Sequence, residues 1–316
     1  MKLTRSVFWL LPLIALVVPI FLNEYYQYVI NLILVYVLVG TGFNIVVGNL
    51  GQLAFSNVAF FGIGAYSSAI LTTQLGMPWW LTVIPAGLVG AIAGCLASIP
   101  ALRGVRLFYL AIMTLAFGEL MRWSYIRTPS LTGGSMGMAV PPANVFGWVL
   151  DSEWQKFYVF LFIVVVVVVA TNRILESRIG RAFLAIKNNE RAAAAMAVPT
   201  GRYFLLAFAL SGFIVGVGGA MYAVLVGHLS PEEFDLVEVI LQFAVIMVGG
   251  LGSLMGSVLG AILITATPEM FRDWPGFQEL MFGVVIVIVI LFLPRGLASL
   301  LAKVHPVFRD RYYREE

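Results

Sequence analysis

Few residues in this chain have the types and spacing that chemistry requires. Glu119 and Arg122 stand three positions apart, so on a helix they share one face and can form an ion pair. Two interpretations are open for them: a structural pair, or a contact for a solute or a proton. Uncharged polar residues also interrupt the apolar stretches, and each can bond a neighbouring helix or line a weakly polar path: Asn44, Gln52, Ser56, Asn57, Thr114 and Gln242.

Catalytic motifs are absent where an enzyme would need them. The sequence has no G-x-x-x-x-G-K-[ST] phosphate-binding loop and no H-E-x-x-H, so the chain is not expected to hydrolyse ATP or a peptide. Its one cysteine, Cys95, cannot form an internal disulfide, and His228 and His305 are far apart. We therefore predict a transport protein that is not an enzyme and that has no metal site and no cofactor of its own.

The elements that position these residues are set by an extreme composition. Of 316 residues 61% are hydrophobic and only 11% are charged, whereas soluble domains carry about 25% charged residues. This excludes a water-soluble enzyme, a disordered protein and a nucleic-acid-binding module. We predict an all-α integral membrane protein, a single domain over 1–316 with about ten transmembrane helices. The expected spans are about 7–22, 26–47, 53–75, 80–101, 107–122, 157–172, 203–227, 237–250, 254–271 and 280–297.

The distribution of positive charge predicts the orientation of these spans. Ten spans with a cytoplasmic N-terminus place fifteen Lys and Arg on the cytoplasmic side and four on the other. Both termini then face the cytoplasm, 123–156 is an extracytoplasmic loop and 173–202 is a cytoplasmic segment. The spans 53–75 and 237–271 contain glycine and polar residues, so eight full spans with re-entrant pieces is an alternative. Glu238 begins its span and is expected to reach the membrane interface.

The segment 176–194 is rich in helix-forming residues and too polar to span a membrane. On a helix Phe183, Ile186 and Lys187 share one face, while Arg181, Asn188 and Arg191 are left to solvent. Such an amphipathic helix either lies along the membrane surface or inserts into a groove of another protein. The residues alone leave both possibilities open.

Two further patterns concern packing. Small residues recur at every fourth position in Ala86-Gly90-Gly94-Ser98, Gly212-Gly216-Ala220 and Gly252-Gly256-Gly260, which predicts close contact between helices. In addition, Asn49-Leu50-Gly51-Gln52-Leu53 resembles Gly250-Leu251-Gly252-Ser253-Leu254. An internal repeat could explain that likeness.

Several motifs together resemble one known family, the permease subunits of branched-chain amino acid ABC importers of the LivM/LivH type. The external Leu131-Thr132-Gly133-Gly134 points to the LivM-like half. The resemblance covers nearly the whole chain, and its other marks are Gly51-Gln52-Leu53 with Ala59 to Tyr66, Thr114 to Glu119, Ser177 to Ala182 with Lys187 to Glu190, Leu206 to Ser211, Val248 to Gly252, and Leu293 to Leu297.

This resemblance implies a multi-pass subunit of the bacterial cell (inner) membrane that takes up branched-chain amino acids or a related small solute. It implies four kinds of partner: a second, LivH-like permease, two cytoplasmic ATPase subunits that bind ATP and Mg, an extracytoplasmic solute-binding protein and the lipid bilayer. The implied ATPase-coupling residues are Arg178, Gly180, Arg181, Ile186, Lys187, Glu190 and Arg191. Candidates for the translocation path are Asn44, Gln52, Ser56, Asn57, Thr114, Glu119 and Arg122.

Two departures from the family pattern bear on function. Ala197-Val198-Pro199 stands where the family usually has a glycine, and Ala54-Phe55-Ser56-Asn57 differs from the run that many relatives carry. The second departure keeps urea, amides and aromatic acids open as alternative solutes. A proton-coupled carrier or channel, with Glu119 and Arg122 as the coupling pair, is a further alternative, and a structural scaffold is a third.

Overall fold

The computed structural model describes residues 22–145, 147–271, 274 and 278–300. These residues are mainly helical, as expected for segments whose backbone groups must be satisfied locally in hydrocarbon. The first expected span (7–22, except its last residue) and the polar tail 303–316 lie outside the described residues. So does the expected position of the two termini.

Each expected span from 26–47 onward corresponds to a helix among the described residues. The long helices are α1 (Glu24–Asn44, continued by a π-helix, Ile45–Asn49), α2 (Asn57–Gln74), α3 (Trp79–Ala97, followed by α4, Ile99–Leu102), α5 (Leu107–Arg127), α7 (Glu153–Glu176), α10 (Thr200–Val226), α11 (Leu236–Gly249), α12 (Leu254–Met270) and α13 (Gln278–Phe292). Three short helices connect them: α6 (Pro129–Thr132), α8 (Arg178–Asn188) and α9 (Glu190–Ala195).

Helix length separates two groups of elements. In the described part of the chain four helical stretches, 24–49, 79–102, 153–176 and 200–226, are long and apolar enough to cross a membrane. Helices α11 and α12 are apolar but shorter, and α11 has 14 residues, a length of about 21 Å. A non-helical stretch at 250–253 separates them, in the region where the sequence predicts interruption.

The centre of the bundle is held by contacts between glycines. A Cβ atom on Gly90 would lie 2.2 Å from the carbonyl oxygen of Gly212, and one on Gly94 would lie 2.2 Å from that of Phe208. Helices α3 and α10 therefore touch backbone to backbone, and α2 approaches α10 in the same way at Gly64 and Gly216. The fourfold spacing of small residues predicts this packing.

One end of the bundle carries the connection between α5 and α7. Helix α5 continues to Arg127 and α7 begins at Glu153, so this connection is 128–152, narrower than the expected 123–156. Thr132 Oγ1 donates a hydrogen bond to the Tyr125 carbonyl at 2.5 Å, and Gly133 follows with φ of 76°. Strands β1 (Met138–Ala139) and β4 (His228–Leu229) pair antiparallel, and β2 (Asn144–Val145) pairs with β3 (Trp148–Val149).

Candidate functional site

The α8–α9 segment begins with a sharp turn after α7. Ser177 Oγ donates to the Ile174 carbonyl at 2.6 Å and accepts from the Ile179 amide at 3.1 Å, so it ends one helix and caps the next. A Cβ atom on Gly180 would lie 1.9 Å from the Leu175 carbonyl oxygen. Glycine at position 180 is therefore what allows α8 to fold back against the end of α7.

Helix α8 is amphipathic, as the sequence predicts. Phe183 and Ile186 are buried, and the Phe183 ring meets the edge of Tyr203 on α10 with centroids 6.1 Å apart. The apolar face thus packs on the protein's own helices, so neither sequence alternative describes that face. The exposed surface of the segment includes Arg178, Arg181, Arg191 and, beyond α9, Met196, whereas Lys187 is exposed one turn from Phe183 on the side that faces the bundle.

An ion pair that joins distant parts of the sequence fixes α9 to the bundle. Arg106, just before α5, donates to the Glu190 carboxylate through Nε at 2.7 Å and through Nη2 at 2.5 Å. Its guanidinium also lies 4.3 Å from the ring centroid of Phe204 on α10. The hydrogen bond from Arg106 and its positive charge outweigh the effect of burial and lower the pKa of Glu190. The sequence placed Glu190 in the ATPase-coupling surface and did not single out Arg106.

Lys187 connects this segment to the first break, which is the non-helical stretch 50–56 between the π-helix and α2. A Cβ atom on Gly51 would lie 2.7 Å from Lys187 Cγ and 3.3 Å from its Cα atom. Gly51 also has φ of 76°, a backbone conformation in which glycine carries no steric cost. Helix α8 therefore rests directly on the non-helical stretch between the π-helix and α2.

The second break is the non-helical stretch 250–253 between α11 and α12, and it contacts the end of α1 and the π-helix that lead into the first break. The Gly252 amide donates to Asn44 Oδ1 at 2.7 Å, and Asn44 Nδ2 donates to the Ser253 carbonyl at 2.9 Å and to Ser257 Oγ at 3.0 Å. A Cβ atom on Gly48 would lie 2.3 Å from the Gly252 nitrogen. The two stretches with similar sequence are thus neighbours in the structure, and each ends a helix there.

A buried series of hydrogen bonds joins α1, α2 and α11 next to these breaks. Tyr36 donates to Glu238 at 3.0 Å, Gln242 Nε2 donates to the same carboxylate at 2.8 Å, and Asn57 Nδ2 donates to Gln242 Oε1 at 2.7 Å. The expectation that Glu238 reaches the membrane interface is wrong. Asp235 caps α11 through the amides of residues 237 and 238. Leu236 and Val237 at the start of the helix are exposed, but the Glu238 side chain is buried and bonded to Tyr36 of α1.

The remaining path candidates divide between the inside and the outside of the bundle. Thr114 Oγ1 accepts from the Phe55 amide at 2.8 Å, which ties α5 to the first break, and Gln52 and Ser56 are buried close by in sequence. Phe55 in turn packs against Phe43 and Phe243. Glu119 and Arg122 pair at 2.9 Å, but their side chains are 43% and 32% exposed on the outward side of α5. The structure does not bring that pair to the buried candidates.

The polar groups assembled here form hydrogen bonds mainly with one another. Within the described ranges no three His, Cys, Asp or Glu side chains are grouped so that they could hold a metal ion. The buried clusters consist of amides, hydroxyls and one carboxylate, and such groups form hydrogen bonds with a polar solute. Asn57 Oδ1 and Gln52 Oε1 are buried and accept no hydrogen bond from the described residues.

The chain is similar to known transport permeases. The family model described as "Branched-chain amino acid transport system / permease component" matches residues 25–294. The chain is 32% identical over 311 residues to the high-affinity branched-chain amino acid transport system permease protein LivM of Salmonella typhimurium, covering 91% of this chain and 73% of that protein. It is 33% identical to LivM of Escherichia coli, covering 84% of this chain and 68% of that protein.

A second group of relatives is more distant. LivH of Salmonella typhimurium is 23% identical over 83% of this chain and 90% of its own length. No solved structure matches the chain. The match of the family model to most of the chain, together with the two LivM proteins, shows that the chain belongs to the permease family of branched-chain amino acid transport systems.

Proposed function

We propose that this chain is the membrane-spanning subunit of an ATP-driven importer that takes up branched-chain amino acids. It has about ten transmembrane helices with both termini in the cytoplasm of a bacterial cell and lies in the inner membrane. It acts beside a second, LivH-like permease, with two ATPase subunits on the cytoplasmic side and a solute-binding protein on the other. The ATPase subunits, and not this chain, bind ATP and Mg.

The observation that carries this proposal is the α8–α9 segment. Its apolar face is anchored on the bundle through Phe183 and through the pair of Arg106 with Glu190, while a basic surface is left exposed at one end of the molecule. Arg103, Arg106 and Arg173 belong to the same end, which supports its assignment to the cytoplasm. We assign the exposed surface to a cleft of an ATPase subunit.

A route for the transmitted force follows from the contacts of this segment. Lys187 lies against Gly51, and the break at Gly51 contacts the second break through Asn44 and Gly252. A displacement of α8 by a closing ATPase subunit would therefore reach both breaks at once. The buried hydrogen bonds that link Asn57, Gln242 and Glu238 lie next to both breaks. We expect these bonds to form or break as the two breaks move.

Reconstitution tests this proposal. The chain, the second permease and the ATPase subunits are placed in proteoliposomes with the binding protein outside, and uptake of labelled leucine, isoleucine and valine is measured with ATP and with a non-hydrolysable analogue inside. We expect uptake of these amino acids with ATP inside and no uptake with the non-hydrolysable analogue. Uptake of urea, an amide or an aromatic acid in place of these amino acids would assign an alternative solute to the same transporter.

A pair of matched variants tests the docking surface. Arg181→Glu reverses an exposed charge on α8, and Glu232→Arg reverses an exposed charge at the opposite end of the bundle. We expect the first to reduce co-purification of the ATPase subunits and the second to leave it unchanged. Equal co-purification of the two variants would contradict the docking surface.

Uptake by the chain alone tests the alternative of a secondary carrier. Uptake without the other subunits that disappears when the proton gradient is collapsed would support that alternative.

A further inference from the structure

The outward side of α5 is unusual among the long helices. Glu119 and Arg122 form their ion pair there, beside exposed apolar residues such as Ile112 and Trp123, which are 50% and 57% exposed. Helix α5 packs against α2 and against the 3₁₀ helix Pro231–Phe234, and it stands at the edge of the bundle. Its opposite side is therefore open.

The position of the pair along the helix determines what can cover it. Glu119 follows Leu107 by twelve residues and precedes Arg127 by eight, so it lies about 18 Å from one end of α5 and about 12 Å from the other. Arg122 lies about 7.5 Å from the second end. If α5 crosses the membrane, Glu119 therefore lies within the hydrocarbon region and Arg122 lies closer to its edge. Charged side chains at that depth face protein or water, because exposure to lipid is costly even for a pair.

Other outward helix faces in the described part of the chain contrast with α5. The outward side of α3 carries Ile84 and Ile92, which are 63% and 61% exposed, and that of α7 carries Phe162 and Val166 at 70% and 50%. The remaining charged residues of the long helices lie within about one turn of a helix end, and Glu238 among them is buried. The faces of α3 and α7 are thus suited to lipid, whereas that of α5 is not.

We propose that the outward face of α5 is the surface on which the second permease subunit packs. The inference rests on the proposed function, which supplies the membrane and the related permease. The occupant is a permease helix with hydrogen-bonding groups opposite Glu119, because the carboxylate and the guanidinium each keep exposed atoms after they pair.

Site-specific photocrosslinking tests this surface in the assembled transporter. A benzoylphenylalanine residue replaces Ala116 or Ile112 on α5, and Ile92 on α3 and Val166 on α7 are the matched exposed controls. We expect the α5 positions to give a covalent product with the second permease, identified by mass spectrometry, and the controls to give none. A product at α3 or α7 without one at α5 would overturn the inference, as would a product joining α5 to a second copy of this chain.

Removal of the charges gives an independent readout. The double variant Glu119→Leu/Arg122→Leu removes both charges. If the α5 face met only lipid, the variant would fit the membrane more easily, and the amount of second permease recovered with it would not fall. We expect that recovery to fall about tenfold, a factor common for coupled charges at interfaces, while the variant still inserts and folds. ATP-dependent uptake by the unmodified complex separates the two proposals: uptake with crosslinks elsewhere refutes this surface alone, and absence of uptake refutes the proposed function.

Discussion

Arg106 and Glu190 are 84 positions apart and join through two hydrogen bonds, at 2.7 Å and 2.5 Å. The pair links the start of α5 to the α8–α9 segment, and the cation of Arg106 over Phe204 adds α10 to the same junction. The start of α5 is thus fixed to two later, consecutive elements of the chain at the end where we place the ATPase subunits.

We expect Glu190→Gln to weaken this junction. Both side chains are partly exposed, so the loss in stability is small, about 1 kcal/mol or less, but ATP hydrolysis should become less tightly coupled to uptake. The measurement is the ratio of ATP hydrolysed to solute transported. The charge-exchanged double variant Arg106→Glu/Glu190→Arg is the control, and a ratio that it restores would support a linking role.

The same pair predicts a dependence on pH. Because folding lowers the pKa of Glu190 from its ordinary value of 4.5, the pair stabilises the protein above that pH and loses its effect as the pH falls through the lowered value. We expect thermal unfolding of the wild type and of Glu190→Gln in detergent to differ at pH 7 and to converge in strong acid. A difference that grows as the pH falls would contradict this assignment.

Gly51→Ala tests the contact between α8 and the first break. The new methyl group would lie 2.7 Å from Lys187 Cγ and 3.3 Å from its Cα atom, so the Lys187 side chain must move and the contact with α8 must loosen. The left-handed backbone adds a strain of about 1 kcal/mol. Gly76→Ala is a matched control because Gly76 also has positive φ but has nothing within 4 Å. We expect both variants to lose stability and only Gly51→Ala to lose most uptake. Equal uptake by the two would mean that Lys187 transmits nothing at this point.

Ala197 offers a prediction in the stabilising direction. It has φ of 61°, a conformation that alanine adopts only at a cost. We expect Ala197→Gly to raise stability by roughly 1 kcal/mol, measured by thermal unfolding. Ala194→Gly, within helix α9, should lower it by about the same amount, since glycine weakens a helix interior. The opposite signs are the test.

Asn57→Ala probes the buried hydrogen-bond chain. The substitution leaves Gln242 Oε1 without its donor inside the bundle, which costs about 1–3 kcal/mol. Asn172→Ala removes an amide whose hydrogen bond to Glu176 is exposed, and it should change stability by less than about 0.5 kcal/mol. Equal unfolding temperatures for the two variants would argue that the Asn57 amide is not buried in the folded protein.

The sequence predicts this fold well because its signals are local. The long described helices lie where apolar stretches indicate them, and Phe183 and Ile186 are buried on the face that their spacing predicts. The partners of these residues are not local. Nothing in the sequence near Arg106 indicates that Glu190 would be its acceptor, and Glu238 at the start of an apolar stretch has the pattern of an interfacial residue. Its burial follows from contact with Tyr36 of α1, 202 positions away in the sequence, which no local pattern indicates.

The glycine contacts between α3 and α10 also bear on which parts can move. Where a carbonyl oxygen rests on a bare Cα atom, no rotamer is available to absorb a slide, so even a small translation would produce a collision. The rings of Phe43, Phe55 and Phe243, by contrast, meet through side chains at centroid distances of 5.4–6.4 Å, and side chains can change rotamer without a shift of the backbone. If the permease opens alternately to the two sides of the membrane, we therefore expect α3 and α10 to move together as one rigid unit. The contacts among these three rings would change instead.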